Sequence, residues 1–260
     1  MRTTAIMNLK GGTGKTLTAI NLAAALSVTH RQRVLLVDAD SQANLTEFIT
    51  RSLPDGITPG GFPDLLRGLD AFPMPTKLDN VHILHADESL MALDVSAVSS
   101  GQADLFALAN FLQEKENKAR FDWAVIDCPP AFSAGAMAAL CAADEVVIPM
   151  RLDAFGIRGM ANLIAQIQNM RKINPDLEIA GVLPTMYDSR DPSQKKALED
   201  LRASLAQAYI RSFHYIRQSK KANESTFAQD PLIWFSPKSA AARDYKIFAR
   251  DLSSEEGGEL

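Results

Sequence analysis

Cysteine is scarce in this chain. There are two, Cys128 and Cys141, with neither metal-ligand spacing nor a disulfide framework, which fits a reducing cytoplasm. Long apolar runs are missing as well: no stretch approaches the roughly 18 uninterrupted apolar residues that mark a membrane-spanning helix. The opening MRTTAIMNLKGG has only a short apolar run before glycines and a lysine, so no secretory signal is expected. The histidines His30, His82, His85 and His214 show no ligand or catalytic spacing and read as structural or surface residues. Positive charge is not in excess either. The formal net charge of −4 argues against a generally basic nucleic-acid binder. The distribution is uneven, because residues 187–250 hold 12 Lys/Arg against 7 Asp/Glu, and the remainder holds 15 against 24. A local basic face is therefore open to the chain, although including the acidic tail to Leu260 cuts the excess to +1.

What is present is an ordinary globular composition, 47% hydrophobic and 22% charged over 260 residues, enough to bury a sizeable core. Short β-branched apolar runs alternate with longer helical patterns. TTAIMNL (3–9), RVLLVDAD (33–40), VHILHA (81–86), DWAVIDCPP (122–130), EVVIPM (145–150) and EIAGVLPT (178–185) read as strands. A helix is expected from Lys15 to about Thr29, and an amphipathic one within GIRGMANLIAQIQNMRKIN. This alternation implies an α/β, doubly wound, mostly parallel sheet flanked by helices, with ligand loops at the carboxyl ends of the strands. The Pro/Gly-rich stretch 50–75 reads as a surface excursion. One domain is expected over 1–252, with a disordered tail at 253–260.

The first strand and helix are joined by KGGTGKT, residues 10–16. Glycines permit the inward turn of backbone N–H groups that a phosphate cradle needs, and the helix N-terminus adds its dipole. Lys15 would reach the terminal phosphates, Thr16 would ligate Mg²⁺, and Leu17 could offer only its backbone N–H. The alternative is a glycine-rich turn with a solvated lysine. The standard motif G-x-x-x-x-G-K-[ST] nevertheless fails, because Leu9 stands where its first glycine belongs. The stretch instead resembles the deviant Walker A loop K-G-G-x-G-K-[ST] of the ParA/MinD family of P-loop ATPases, matching at every position from Lys10 to Thr16. The resemblance implies nucleotide contacts from Gly11, Gly12, Thr13, Gly14, Lys15, Thr16 and Leu17. It also implies that Lys10 crosses to the nucleotide of a partner subunit, so that ATP would hold two subunits together. Lys10 and Lys15 then count as catalytic.

Carboxylates follow at two strand ends. LLVDADSQANLT (35–46) resembles the family's D-x-D-P-Q-G-N-x-T, with Asp38, Asp40, Gln42, Asn44 and Thr46 matching and Ser41 and Ala43 departing from proline and glycine. Asp38 and Asp40, two apart in an extended segment, would face the same side, and hard oxygen ligands suit Mg²⁺. An Asp after a strand can also cap the next helix. By resemblance Asp40 positions or activates the attacking water and Asp38 supports the metal region. FDWAVIDCPP (121–130) reads as Walker B, with Asp127 holding the metal through water. The predicted metal set is Thr16, Asp38 and Asp127, and the cofactors are ATP and Mg²⁺.

Further along, VLPTMYDSR (182–190) and DPLIWFSPKSAAARDY (230–245) resemble ParA/Soj segments, and YIRQSKKANES (215–225) sits where that group has I-P-R-N-V-R-x-x-E-A. The resemblance assigns Arg217 to the nucleotide pocket. It also suggests a DNA-phosphate cluster of Arg190, Arg217, Lys220 and Lys221, which would otherwise read as solvated charges. The acidic ending lacks the basic amphipathic helix of MinD-type relatives, so no membrane targeting is expected. No helix-turn-helix is expected ahead of the first strand, and the cysteines do not suit an iron–sulfur cluster. The reading is a cytoplasmic, nucleoid-associated ATPase whose ATP-bound homodimer coats double-stranded DNA without sequence preference. A ParB-like partner would trigger hydrolysis, segregating a plasmid, mobile element or chromosome region. The alternatives are an ATPase that positions a protein cargo and a small-molecule enzyme on the same fold.

Overall fold

The computed structural model describes residues 1–50, 60–97 and 103–254. Through its first half the chain forms β1 (Arg2–Ile6), α1 (Lys15–His30), β2 (Val34–Asp38), α2 (Asn44–Ile49), α3 (Phe62–Leu66), β3 (Met74–Pro75), β4 (Val81–Leu84) and α4 (Ser89–Ala97). There follow α5 (Ala107–Gln113), α6 (Lys115–Arg120), β5 (Trp123–Asp127), α7 (Ala134–Ala142), β6 (Glu145–Arg151) and α8 (Ala154–Met170). β7 (Glu178–Thr185), α9 (Pro192–Gln207), α10 (Lys220–Phe227), α11 (Leu232–Phe235) and α12 (Ala240–Ser253) complete it.

The seven strands lie in the order β3-β4-β2-β5-β1-β6-β7. All neighbouring pairs are parallel except the β3–β4 edge. Every residue of β2 and β5 is buried, as their uninterrupted apolar runs require of strands covered on both faces. Successive side chains point to opposite faces, and the core divides accordingly. Leu35, Val37, Ala124 and Ile126 join the cluster on one side. Val34, Leu36, Trp123 and Val125 join the cluster on the other, beneath α1 and α12.

Register decides where chemistry can occur. Ile6 pairs with Asp127, and Asp127 with Asp38, so β1, β2 and β5 end level with one another. The loops after them open side by side at one edge of the sheet. The chain leaves β1 toward β2 on one side and later reaches β6 on the other, which is the strand-order reversal where such folds bind ligands.

Three expectations need correction. The strand beginning at residue 3 ends at Ile6 rather than residue 9, because the following residues turn into the glycine loop. The stretch 50–75 is not a surface excursion throughout. Although 51–59 lie outside the described residues, Phe62 and Leu66 of α3 are fully buried, and the Phe62 N–H donates to the His85 carbonyl at 2.8 Å. Gly60, Gly61 and Gly68 flank a buried helical turn, and the short β3 forms the antiparallel edge. Finally, α12 runs through Ser253, one residue into the expected tail, whose residues 255–260 lie outside the described part.

Candidate nucleotide site

The loop between β1 and α1 turns on two left-handed glycines, Gly12 at φ 70° and Gly14 at φ 85°, where a side chain would be strained. Gly14 precedes α1, and no side chain caps that helix, so its first N–H groups face the loop. The loop is fixed from both flanks. The Asn8 amide donates to the Pro149 carbonyl at 2.7 Å, and the Lys10 N–H donates to Asn8 Oδ1 at 3.0 Å. The Thr185 hydroxyl, at the end of β7, donates to the Thr13 carbonyl at 2.8 Å.

The two lysines are held differently. Lys15 is buried, its ammonium donating to the Lys10 carbonyl at 3.3 Å. Burial lowers its pKa, and the nearby carboxylates of Asp127 and Asp40 oppose that shift. Lys10 is half-buried and turns away, with Nζ 2.7 Å from each carboxylate oxygen of Asp153.

The acids occupy the predicted strand ends. Asp127 is 2% exposed and lies beside the Thr16 side chain, which favours its charged form. Burial, reinforced by Asp38, holds its pKa well above the usual carboxylate range. Its Oδ1 is buried with no hydrogen-bond partner, a cost that a cation beside it would remove. Asp38, at the last position of β2, is fully buried and is pushed to about 6, chiefly by that burial. Both its oxygens are engaged, Oδ2 by the N–H and hydroxyl of Thr46 and Oδ1 by the Asp40 N–H. Asp40 lies beyond the strand in a turn closed by the Ala43 N–H donating to its carbonyl, and it is partly exposed. The two acids are thus not paired along one extended face: one is locked inside and the other looks out.

Beside the loop lies a cleft of about 710 Å³, lined by Gly14 and Leu17 on one wall and by Arg190, Arg217 and Lys220 on another. Arg217 is anchored by fully buried Asp244, with contacts of 2.6 and 2.8 Å from its guanidinium and 3.0 Å from its N–H. Arg190 is largely exposed and pairs with Asp188, holding that carboxyl down at about 2. Lys221 instead pairs with Glu224 on the exposed side of α10. The structure therefore brings Arg190, Arg217 and Lys220 to one cleft and leaves Lys221 outside its lining. Sequence reasoning missed Asp153, Thr185 and Asp244. Thr185 had a readable signal as the last residue of a strand, whereas Asp153 lies beyond the end of β6 and Asp244 lies within α12, and neither had one. No group of three or more His, Cys, Asp or Glu that could hold a metal ion occurs among the described residues.

The chain is similar to several known proteins. A family described as an AAA domain matches residues 1–179. The chromosome partitioning protein ParA of Caulobacter vibrioides is 31% identical over 261 residues, covering 98% of this chain and 95% of that protein. Cobyrinic acid a,c-diamide synthase from Mycobacterium smegmatis, solved with ADP and magnesium, is 30% identical with a TM-score of 0.76, over 96% of this chain and 93% of that one. Apo McdA from Cyanothece shares the fold, with a TM-score of 0.82 at 24% identity over 97% and 99% of the two chains.

Proposed function

Because the chain belongs to this AAA-domain family, as a ParA/MinD-like ATPase, we propose that it is a partition ATPase that binds and hydrolyses ATP with Mg²⁺. In this reading it dimerises around ATP and then binds DNA without sequence preference. The observation that carries the reading is the meeting of Lys15, Thr16, Asp127 and Asp40 at the level ends of β1, β2 and β5.

The donor set fits the cofactors. The uncapped N-terminus of α1 and the buried Lys15 bind phosphate. Thr16 and Asp127 would hold Mg²⁺, and the orphaned Asp127 Oδ1 is the atom that gains most from it. Magnesium held there would neutralise charge on the phosphates. Asp40, partly exposed at the rim, orients or activates the attacking water. Leu17 and Arg217, which line the cleft, would border the nucleotide. To serve a partner subunit's nucleotide, Lys10 must leave Asp153. Arg190, Arg217, Lys220 and Lys221 supply the DNA-phosphate contacts of the dimer, and a ParB-like partner accelerates hydrolysis and returns the protein to monomers.

Fluorescence anisotropy with a random DNA duplex tests this, using wild type and Asp40→Ala with no nucleotide, ADP or ATP. Binding that requires ATP, persists longer in Asp40→Ala and weakens steeply with salt is expected. Absence of binding in every state would remove DNA as the track. The 30% identity to cobyrinic acid a,c-diamide synthase would then favour a small-molecule enzyme, and an ATPase carrying a protein cargo would remain as the other reading.

A further inference from the structure

The segment Asp38-Ala39-Asp40 is held on three sides. Asp38 Oδ2 accepts the Thr46 N–H and the Thr46 hydroxyl, each at 2.8 Å, and Asp38 Oδ1 accepts the Asp40 N–H at 3.2 Å. The Thr46 hydroxyl, its single proton given to Asp38, accepts the Ala86 N–H at 3.0 Å. Thr46 is 2% exposed and Asp38 is fully buried, so water does not readily replace any of these bonds. On the second side, the Ala39 N–H donates to the Asp127 carbonyl at 3.0 Å. On the third, α7 presses Gly135 against the same segment. A Cβ on Gly135 would stand 2.5 Å from the Ala39 carbonyl oxygen, closer than backbone contacts permit.

A carboxylate that already accepts three hydrogen bonds has little capacity left to ligate an ion. Asp38 therefore serves the site by fixing the N–H of Asp40. We infer that Thr46 is a positioning residue for hydrolysis: it locks Asp38, Asp38 aims Asp40, and the bare Cα of Gly135 lets α7 brace the turn from behind. The inference rests on the reading of Asp40 as the residue that serves the attacking water. Misplacing such a group by about an ångström can cost on the order of a hundredfold in rate, while phosphate binding at Lys15 is untouched.

Thr46→Val keeps the shape and removes the hydroxyl, Thr46→Ser keeps the hydroxyl, and Gly135→Ala pushes on Ala39. Each would be compared with wild type and Asp40→Ala for single-turnover MgATP hydrolysis and for the Kd of a fluorescent ATP analogue, with thermal melting as a check on folding. Thr46→Val and Gly135→Ala are expected to slow hydrolysis about tenfold or more with Kd within about threefold, and Thr46→Ser to stay within about twofold on both. Thr46→Val added to Asp40→Ala should cost nothing further, since both act on one group. A Thr46→Val protein turning over at the wild-type rate beside an inactive Asp40→Ala would sink the inference alone. So would an additive loss in the double variant, or a loss of affinity that matches the loss of rate. Asp40→Ala hydrolysing normally would remove the reading of Asp40, and this inference with it. Should Thr46→Val fail to fold, Gly135→Ala carries the same comparison.

Discussion

The phosphate end of the site and the cleft beside it are built by different means. At the phosphate end, Lys15, Asp38 and Asp127 sit on or next to buried central strands and are themselves buried. Their placement follows from register: three parallel strands ending level put one loop and two acids within reach of each other. In the cleft, Arg190, Arg217 and Lys220 hang from loops and a helix start beyond β7. They are placed by ion pairs such as Arg217–Asp244, formed across 27 residues. A centre made by strand register is expected to respond to substitution through chemistry. A wall made by ion pairs is expected to respond through stability and charge.

The largest expected effect is at the phosphate end. Asp40→Ala should lower single-turnover hydrolysis by roughly 10²–10⁴ while its melting temperature stays at the wild-type value. A fall in stability as large as the fall in rate would erase the distinction between the two regions. Next comes a pH effect in the nucleotide-free protein. Asp38 is raised by burial from 3.8 to about 6, so the folded form keeps a proton that the unfolded chain has lost. That contribution is full below the unfolded pKa and is lost as pH rises through about 6. Between pH 4 and pH 7, wild type should lose on the order of 2 kcal/mol relative to Asp38→Asn, read from urea unfolding of both proteins. A pH-independent difference would contradict it.

In the cleft, Arg217→Ala leaves the buried Asp244 carboxylate with only a backbone N–H and His214 near it. The loss should be about 1–3 kcal/mol, since the arginine is itself partly exposed. Chemical denaturation measures it, and hydrolysis per folded molecule should change far less than in Asp40→Ala. The smallest effect is expected from Ala43→Gly. Ala43 adopts a left-handed φ of 51° at the position where the family motif has glycine. Relief of that strain and the greater freedom of the unfolded chain largely offset each other. The variant should gain no more than about 1 kcal/mol, and a thermal melt would register it.

The same contrast governs what could be read from the sequence. β2 and β5 were legible because an apolar run such as VLLVD has only one stable placement, between two layers. The loop was legible because phosphate binding demands glycine at left-handed positions, which Gly12 and Gly14 occupy. α3 was obscured, since FPDLL follows glycines and a proline that signal a turn, and its burial depends on the distant His85 carbonyl. Asp153 as the holder of Lys10 is a contact across 143 residues, which no local pattern encodes. Asp38 carried a legible acid at a legible strand end. Saturation of its oxygens by Thr46 became visible only once α2 was folded back over β2.

In the proposed function Lys10 and Lys15 divide the work, one reaching a partner's nucleotide and the other holding the chain's own. Sedimentation velocity of Asp40→Ala with and without Lys10→Ala, in MgATP and in MgADP, tests it most directly. The expected result is a dimer with ATP, a monomer with ADP, and a monomer in both when Lys10 is also replaced. Dimerisation with ATP that survives Lys10→Ala, or no dimer in any state, would contradict the account.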